Sequence, residues 1–162
     1  MRHRRVALAF AALLLAAAAP AKRQAEPAHP VALQPQPGTP VDAAVRTLVA
    51  DDLVAAKARG DTPLVLIGRA SLGGAKPALF VQLQSPQECG SAGCSTTLFS
   101  WEHGAWKQVL DGVTGHITVS SKRTRGRADL IADKDHFVWT GSAYRSTRPA
   151  PAVDLRPHPR RR

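Results

Sequence analysis

The two cysteines of the chain lie close together in the segment Cys89-Gly-Ser-Ala-Gly-Cys94. Gly90 and Gly93 permit the positive φ angles that let so short a loop fold back on itself, so in an oxidising compartment we expect a disulfide. A ring of this size contributes roughly 2 kcal/mol and mainly stiffens a turn between two strands. A redox-active pair, a thiol pair and a metal site are the alternatives, but the spacing is not C-x-x-C and no predicted helix follows.

One basic run lies inside the predicted core. It comprises Lys122, Arg123, Arg125 and Arg127. Because the run falls between two predicted strands, we expect it at the tip of a hairpin, where four cations could bind an anionic partner. The alternative is a solvated turn whose charges prevent edge-to-edge aggregation.

Other residue types that carry chemistry do not form a recognisable site. His103, His116 and His136 lack the short spacing of zinc ligands, and an acidic cluster at a predicted turn lacks the register of a calcium loop. The members of that cluster are Asp129, Asp133, Asp135 and His136. We interpret it as a solvated turn, with calcium binding as the alternative, and predict no metal and no cofactor.

Signatures of a catalytic nucleophile are also missing from the sequence. There is no G-x-S-x-G, Ser91 has no evident base beside it, and Gly73-Gly74 indicates a turn rather than a phosphate-binding loop. A Ser-His-Asp set could still assemble from distant positions, because such triads are recognised by geometry and not by order.

The elements that must position these residues are mainly short strands separated by Gly-containing turns. Apolar runs and alternating patterns predict eight strands. They cover residues 64–67, 79–84, 97–102, 106–110, 116–120, 128–132, 137–140 and 143–145. Their spacing predicts a mostly antiparallel β-meander.

One helix is predicted before the strands. Thr39 suits the N-cap, Pro40 suits the first helical position and Gly60 ends the run. Between them, apolar residues recur at steps of three and four, at Val41, Val45, Leu48, Val49, Leu53 and Ala56. The prediction is an α+β fold in which one N-terminal amphipathic helix packs on the antiparallel sheet.

Two segments 38 residues apart share the pattern F-x-W-x-x-x-A-aromatic-basic. They begin at Phe99 and Phe137, and each contains a glycine flanked by aromatic residues. We interpret both as hairpins with aromatic stems, since aromatic pairs across strands stabilise hairpins by roughly 0.2–1 kcal/mol.

The two ends of the chain differ in composition from its centre. The N-terminus combines three early arginines with an apolar run and ends on Ala19-Pro20-Ala21, which is typical of a cleavable signal peptide. The apolar run is shorter than the ~20 residues that span a membrane, so we predict no transmembrane segment after cleavage. The predicted organisation is a signal peptide at 1–21, a Pro-rich linker at 22–38, a single domain at 39–146 and a flexible Pro/Arg-rich basic tail at 147–162.

The net charge of +10 is concentrated at these ends. Between Thr39 and Arg145 there are 12 basic and 10 acidic residues, a net charge of only +2. The high isoelectric point therefore does not predict specific binding to nucleic acid. A protein or an anionic envelope component is the predicted partner.

Several short motifs from Ala78 to Arg145 occur in a fixed order. They are C-G-x-x-G-C (Cys89–Cys94), G-x-W (Gly104, Trp106), R-G-x-x-D-L (Arg125–Leu130) and a closing W-x-G-x-x-Y hairpin (Trp139, Gly141, Tyr144). In these motifs the chain resembles a widespread type of small exported bacterial protein without an established activity. The resemblance covers about two fifths of the chain and implies no catalytic residues.

These observations predict a noncatalytic periplasmic or secreted module that binds an envelope or macromolecular partner. The binding surface would be the loop Cys89–Cys94 or the turn Lys122–Arg127. One alternative is an envelope hydrolase, in which a deep pocket would gather histidines with Ser or Asp. Another is an enzyme inhibitor that inserts the disulfide loop into a partner's cleft.

Overall fold

The structure, a computed structural model, describes residues 27–149. The predicted signal peptide, the first part of the predicted linker and most of the predicted tail lie outside these residues. The described part forms twelve strands and two short helices. The strands are β1 (His29–Pro30), β2 (Gln34–Pro35), β3 (Leu64–Ala70), β4 (Ala78–Gln84), β5 (Cys89–Gly90), β6 (Gly93–Cys94), β7 (Thr96–Glu102), β8 (Ala105–Val113), β9 (Ile117–Thr124), β10 (Arg127–Ala132), β11 (Asp135–Trp139) and β12 (Tyr144–Ser146), and the helices are α1 (Pro40–Leu48) and α2 (Ala50–Ala58).

Ten of these strands form two five-stranded antiparallel sheets. The helix-side sheet has the order β2-β3-β4-β7-β8, and the outer sheet has the order β1-β9-β10-β11-β12. After β1 the chain passes to the helix-side sheet, and it returns to the outer sheet at β9. The remaining strands, β5 and β6, pair only with each other.

The core has two layers because the helix-side sheet is buried on both faces. Along β4, Ala78 and Phe80 pack toward the outer sheet, whereas Leu79 and Val81 pack toward the helices. Successive side chains of a strand point to opposite faces. A strand that is covered on both sides therefore needs the continuous apolar run seen here.

The helical segment starts as predicted but does not form one helix. The Thr39 hydroxyl accepts a hydrogen bond from the Asp42 N–H at 3.2 Å and caps α1. At Val49 the backbone leaves helical geometry, with φ −110° and ψ 26°, and α2 begins at the next residue. The break separates α1, which buries Val45 against the sheet, from α2, of which only Ala56 is buried.

The predicted α+β class, with one N-terminal helix on a single meander sheet, is therefore wrong. Strands account for 49% of the described residues, in three sheets, and the helices are two short segments. Residues 29–35, assigned to the linker by composition, supply an edge strand to each large sheet. Their prolines are tolerated there because an edge strand leaves backbone positions without ladder hydrogen bonds.

Both copies of the F-x-W pattern form hairpins with an aromatic pair across the strands. The ring centroids of Trp101 and Trp106 are 5.4 Å apart, and those of Trp139 and Tyr144 are 5.3 Å apart, both edge to face. The second pair is buried between the sheets, whereas the first is half-buried on the side of the helices.

Candidate functional site

The predicted disulfide is present, and it closes a small hairpin. Cys89 pairs with Cys94 and Gly90 with Gly93, which leaves Ser91 and Ala92 as the tip. We call β5, β6 and this tip the disulfide hairpin. Gly93 has φ +98°, a conformation that residues other than glycine rarely adopt.

The base of the disulfide hairpin is tied to the domain by hydrogen bonds. The Cys89 N–H donates to the Ser85 carbonyl at 3.0 Å. On the other strand, the side-chain amide of Gln82 donates to the Cys94 carbonyl at 3.2 Å and to the Thr96 hydroxyl at 3.1 Å. The cross-link and these contacts hold the hairpin in one orientation.

The tip of the disulfide hairpin stands free of the rest of the described chain. All four residues from Gly90 to Gly93 are exposed. A Cβ atom added at either glycine would meet no other atom within 4 Å. A partner could therefore reach the tip without displacing other side chains of residues 27–149.

A cavity of about 510 Å³ opens beside this hairpin. It lies at the end of the sandwich where β4 ends, β9 begins and the connection between β1 and β2 passes. Its walls combine apolar side chains with an amide, an imidazole and a carboxylate, and they are formed by Val31, Leu33, Gln82, Ala92, Gly93, Cys94, Gly115, His116, Ile117 and Asp133. The volume lies within the range of ~300–1,000 Å³ that is usual for ligand pockets.

One rim of the cavity is held by Asp133. Its carboxylate accepts a hydrogen bond from the His116 N–H at 3.0 Å, and its own N–H donates to the His116 carbonyl at 3.1 Å. The His116 ring is fully exposed above this contact, 3.8 Å from the same carboxylate. Asp133 thus joins the turn before β9 to the turn before β11.

The predicted basic turn lies at the opposite end of the sandwich. It is the tip of the β9–β10 hairpin, and Arg125 and Gly126 form the turn with positive φ angles. Arg127 begins β10 and Asp133 directly follows it. At a rise of ~3.3 Å per residue, the distance between these two residues is about 20 Å. The two surfaces predicted for binding therefore do not form one site.

Arg127 points into the protein rather than into solvent. Its guanidinium donates to the Ser100 hydroxyl at 2.7 Å and to the Glu102 carboxylate at 2.6 Å, and it lies 4.4 Å from the centre of the Trp139 ring. The Arg127 and Glu102 side chains are only 13% and 19% exposed. These contacts assign Arg127 a structural part in holding the two sheets together.

The other three basic residues of the turn are exposed. Arg123 donates to the Gly126 carbonyl at 3.2 Å, and Arg125 donates to the Thr140 carbonyl. The Lys122 side chain makes no hydrogen bond or ion pair within residues 27–149. Its role in binding stays a prediction.

The predicted acidic cluster is divided among separate contacts. Asp129 is fully buried, and one of its oxygens lies 3.1 Å from Nε2 of His136, while its other oxygen has no hydrogen-bond partner in the described chain. Asp135 pairs with Arg148 at 2.9 Å. Within residues 27–149, no three His, Cys, Asp or Glu side chains are placed to hold a metal ion.

The three histidines of the core lie at three different places. His103 is in the turn between β7 and β8, at the basic end, whereas His116 is at the cavity and His136 is on β11. In the described part of the chain, no Ser or Thr hydroxyl is hydrogen-bonded to any of these rings. The structure thus places two His–Asp pairs but does not bring the three rings into one pocket.

The cavity was not foreseen from the sequence. Its lining residues come from five segments between Val31 and Asp133, and no pattern in the sequence joins them. Neither helix in residues 27–149 has the length and hydropathy needed to cross a membrane.

No protein-family model matches the chain, and comparisons with curated proteins and with solved structures found no significant similarity.

Proposed function

We propose that the protein is a noncatalytic periplasmic or secreted module that binds a partner protein through the disulfide hairpin and the adjacent cavity. The observation that carries this proposal is the position of a covalently closed, exposed tip next to a cavity of about 510 Å³. A rigid tip loses little conformational entropy on binding. The cavity offers apolar walls to a partner side chain, and Gln82 and His116 offer polar contacts.

The disulfide supports the predicted export, because disulfides persist in oxidising compartments.

An enzyme inhibitor is the second candidate function, and the small size of the exposed hairpin tip favours it. The four exposed residues of the disulfide hairpin, Gly90 to Gly93, are only glycine, serine and alanine, so this part of the hairpin is narrow enough to enter a partner's cleft. Both candidates use the same surface.

Site-specific photocrosslinking tests the proposed surface. A benzophenone amino acid at Ala92 is expected to capture one partner in the native envelope. The same probe at Val54, which is 68% exposed on α2, is the matched control and is expected to capture none. Equal capture from both positions would show that this end of the sandwich is not a specific surface.

The captured partner then allows a quantitative test. Ser91→Arg places a bulky charge on the tip and is expected to weaken binding about tenfold or more, the usual size of a central interface effect. Lys122→Glu at the opposite end is expected to leave the dissociation constant unchanged. Loss of binding in Lys122→Glu alone would assign the interface to the basic turn instead.

A further inference from the structure

A second concave surface lies on the helix side of the basic end, far from the disulfide hairpin. It is a groove of about 290 Å³ between the start of α1 and one end of the helix-side sheet, where residues of β3, β4 and β8 contribute to its walls. We call it the Trp106 groove. The lining residues used below are Val41, Ala44, Arg69, Lys76, Leu79 and Trp106.

The walls of the Trp106 groove are apolar, and its rim is basic. Val41 and Ala44 of α1 face Leu79 and the half-buried Trp106 ring. Arg69 and Lys76 are exposed beside them, and neither forms an ion pair with a carboxylate in the described chain. The Lys76 ammonium lies 3.5 Å from the centre of the Trp101 ring, a contact that holds the charge next to the groove.

This arrangement selects a ligand by charge and by size. Two cations that have no carboxylate partner in residues 27–149 favour one negative group at the rim. The volume lies just below the ~300–1,000 Å³ of pockets that hold drug-sized molecules, so it suits one apolar side chain. A negative group joined directly to one apolar side chain is the chemistry of the last residue of a polypeptide.

We propose that the Trp106 groove binds the free C-terminus of a partner polypeptide that ends in an apolar residue. The terminal carboxylate lies between Arg69 and Lys76, and the last side chain packs between α1 and Trp106. Capture of a C-terminal carboxylate is a recurring mode of peptide recognition. This site is independent of the one proposed at the disulfide hairpin.

The three tryptophans of the chain provide a built-in assay. In a ¹H–¹⁵N spectrum of the whole processed protein, each indole N–H gives one signal. The probe is the peptide Gly-Ser-Gly-Ala-Leu with a free C-terminus, and its amidated form is the control. We expect the free acid to shift the Trp101 and Trp106 signals while Trp139, which is buried in the core, stays in place. Amidation is expected to weaken binding about tenfold, the effect of losing one charge-assisted contact.

Surface variants separate the charge from the groove. Arg69→Gln/Lys76→Gln is expected to weaken binding of the free acid about tenfold, and Lys122→Gln at the β9–β10 hairpin to leave it unchanged. Ala44→Leu keeps both charges and fills the groove, so it is also expected to abolish the shifts.

Four results would overturn the proposal. Two concern binding: the free acid and the amide bind equally well, or Arg69→Gln/Lys76→Gln binds the free acid as well as the wild type does. The other two are that millimolar peptide shifts no tryptophan signal, or that the signals respond only to vesicles of anionic phospholipid. The last outcome would identify a lipid surface as the ligand. None of these results depends on the partner of the disulfide hairpin.

Discussion

The contacts of Arg127 predict that this residue of the basic run is structural. Replacing Arg127 by alanine removes two charge-assisted hydrogen bonds, at 2.7 and 2.6 Å, and the contact with the Trp139 ring. It also leaves the Glu102 carboxylate, which is 19% exposed, without its cation. Hydrogen bonds to charged groups contribute about 1.5–3 kcal/mol each. Because water still reaches part of the pair, we take the low end and expect a loss of about 3 kcal/mol.

The assay is chemical and thermal unfolding in a double-mutant cycle. Glu102→Ala alone is expected to lower the free energy of unfolding by about 2 kcal/mol, and the double variant by about 3.5 kcal/mol. The double loss is about 1.5 kcal/mol smaller than the two single losses together, and this coupling energy is within the usual range for paired residues. For a domain of this size, about 3 kcal/mol lowers the melting temperature by about 12 °C. Lys122→Ala, an exposed position in the same hairpin, is the control and is expected to change stability by less than about 0.5 kcal/mol.

Two outcomes would refute this reasoning. One is a loss in Arg127→Ala no larger than that in Lys122→Ala. The other is additivity of the Arg127 and Glu102 substitutions, which would mean that their ion pair does not contribute. Arg127→Lys adds a test of geometry, since lysine cannot make the forked contact of a guanidinium, and it is expected to recover less than half of the loss.

Two further predictions concern the core and the cross-link. Burial raises the pKa of Tyr144 well above its ordinary value of about 10. Its contribution to stability is therefore complete below pH of about 10 and is lost as the pH rises toward the folded-state pKa, by up to ~1.4 kcal/mol per pH unit. Absorbance of the single tyrosine should show no ionisation near pH 10 before unfolding, and Tyr144→Phe should flatten the alkaline loss. Cys89→Ser/Cys94→Ser is expected to lower the free energy of unfolding by about 2 kcal/mol and to keep the fold. An unchanged melting temperature, or a variant that does not fold, would contradict the conclusion that the disulfide stiffens one hairpin without being needed for the rest of the domain.

Much of the local structure could be predicted because its causes are local. Alternating and continuous apolar runs located eight of the ten strands from Leu64 onward, all but the two-residue strands β5 and β6. Thr39 caps α1 as its hydroxyl and position suggested. Cys89 and Cys94 could be paired because no other cysteine competes.

The fold class could not be predicted from the same patterns. Alternation shows that a strand has two faces but not what covers each of them. The prolines of residues 29–35 indicated a linker, yet the segment completes both sheets. This pairing could not be predicted because its partner strands, β9 and β3, lie far along the chain. The division into two stacked sheets depends on these long-range pairings.

The features of the candidate sites also fall into two groups, those that the sequence determined and those that only the tertiary structure decided. Residue types and spacing alone determined the cross-linked loop, the aromatic hairpins and the basic turn, since each is built from neighbours in sequence. Only the tertiary structure decided that Arg127 faces Glu102 in the interior, that a cavity opens beside the disulfide hairpin, and that Trp106 meets α1 in a basic groove. Each of those depends on side chains brought together from distant strands, and the order of residues does not show which strands become neighbours.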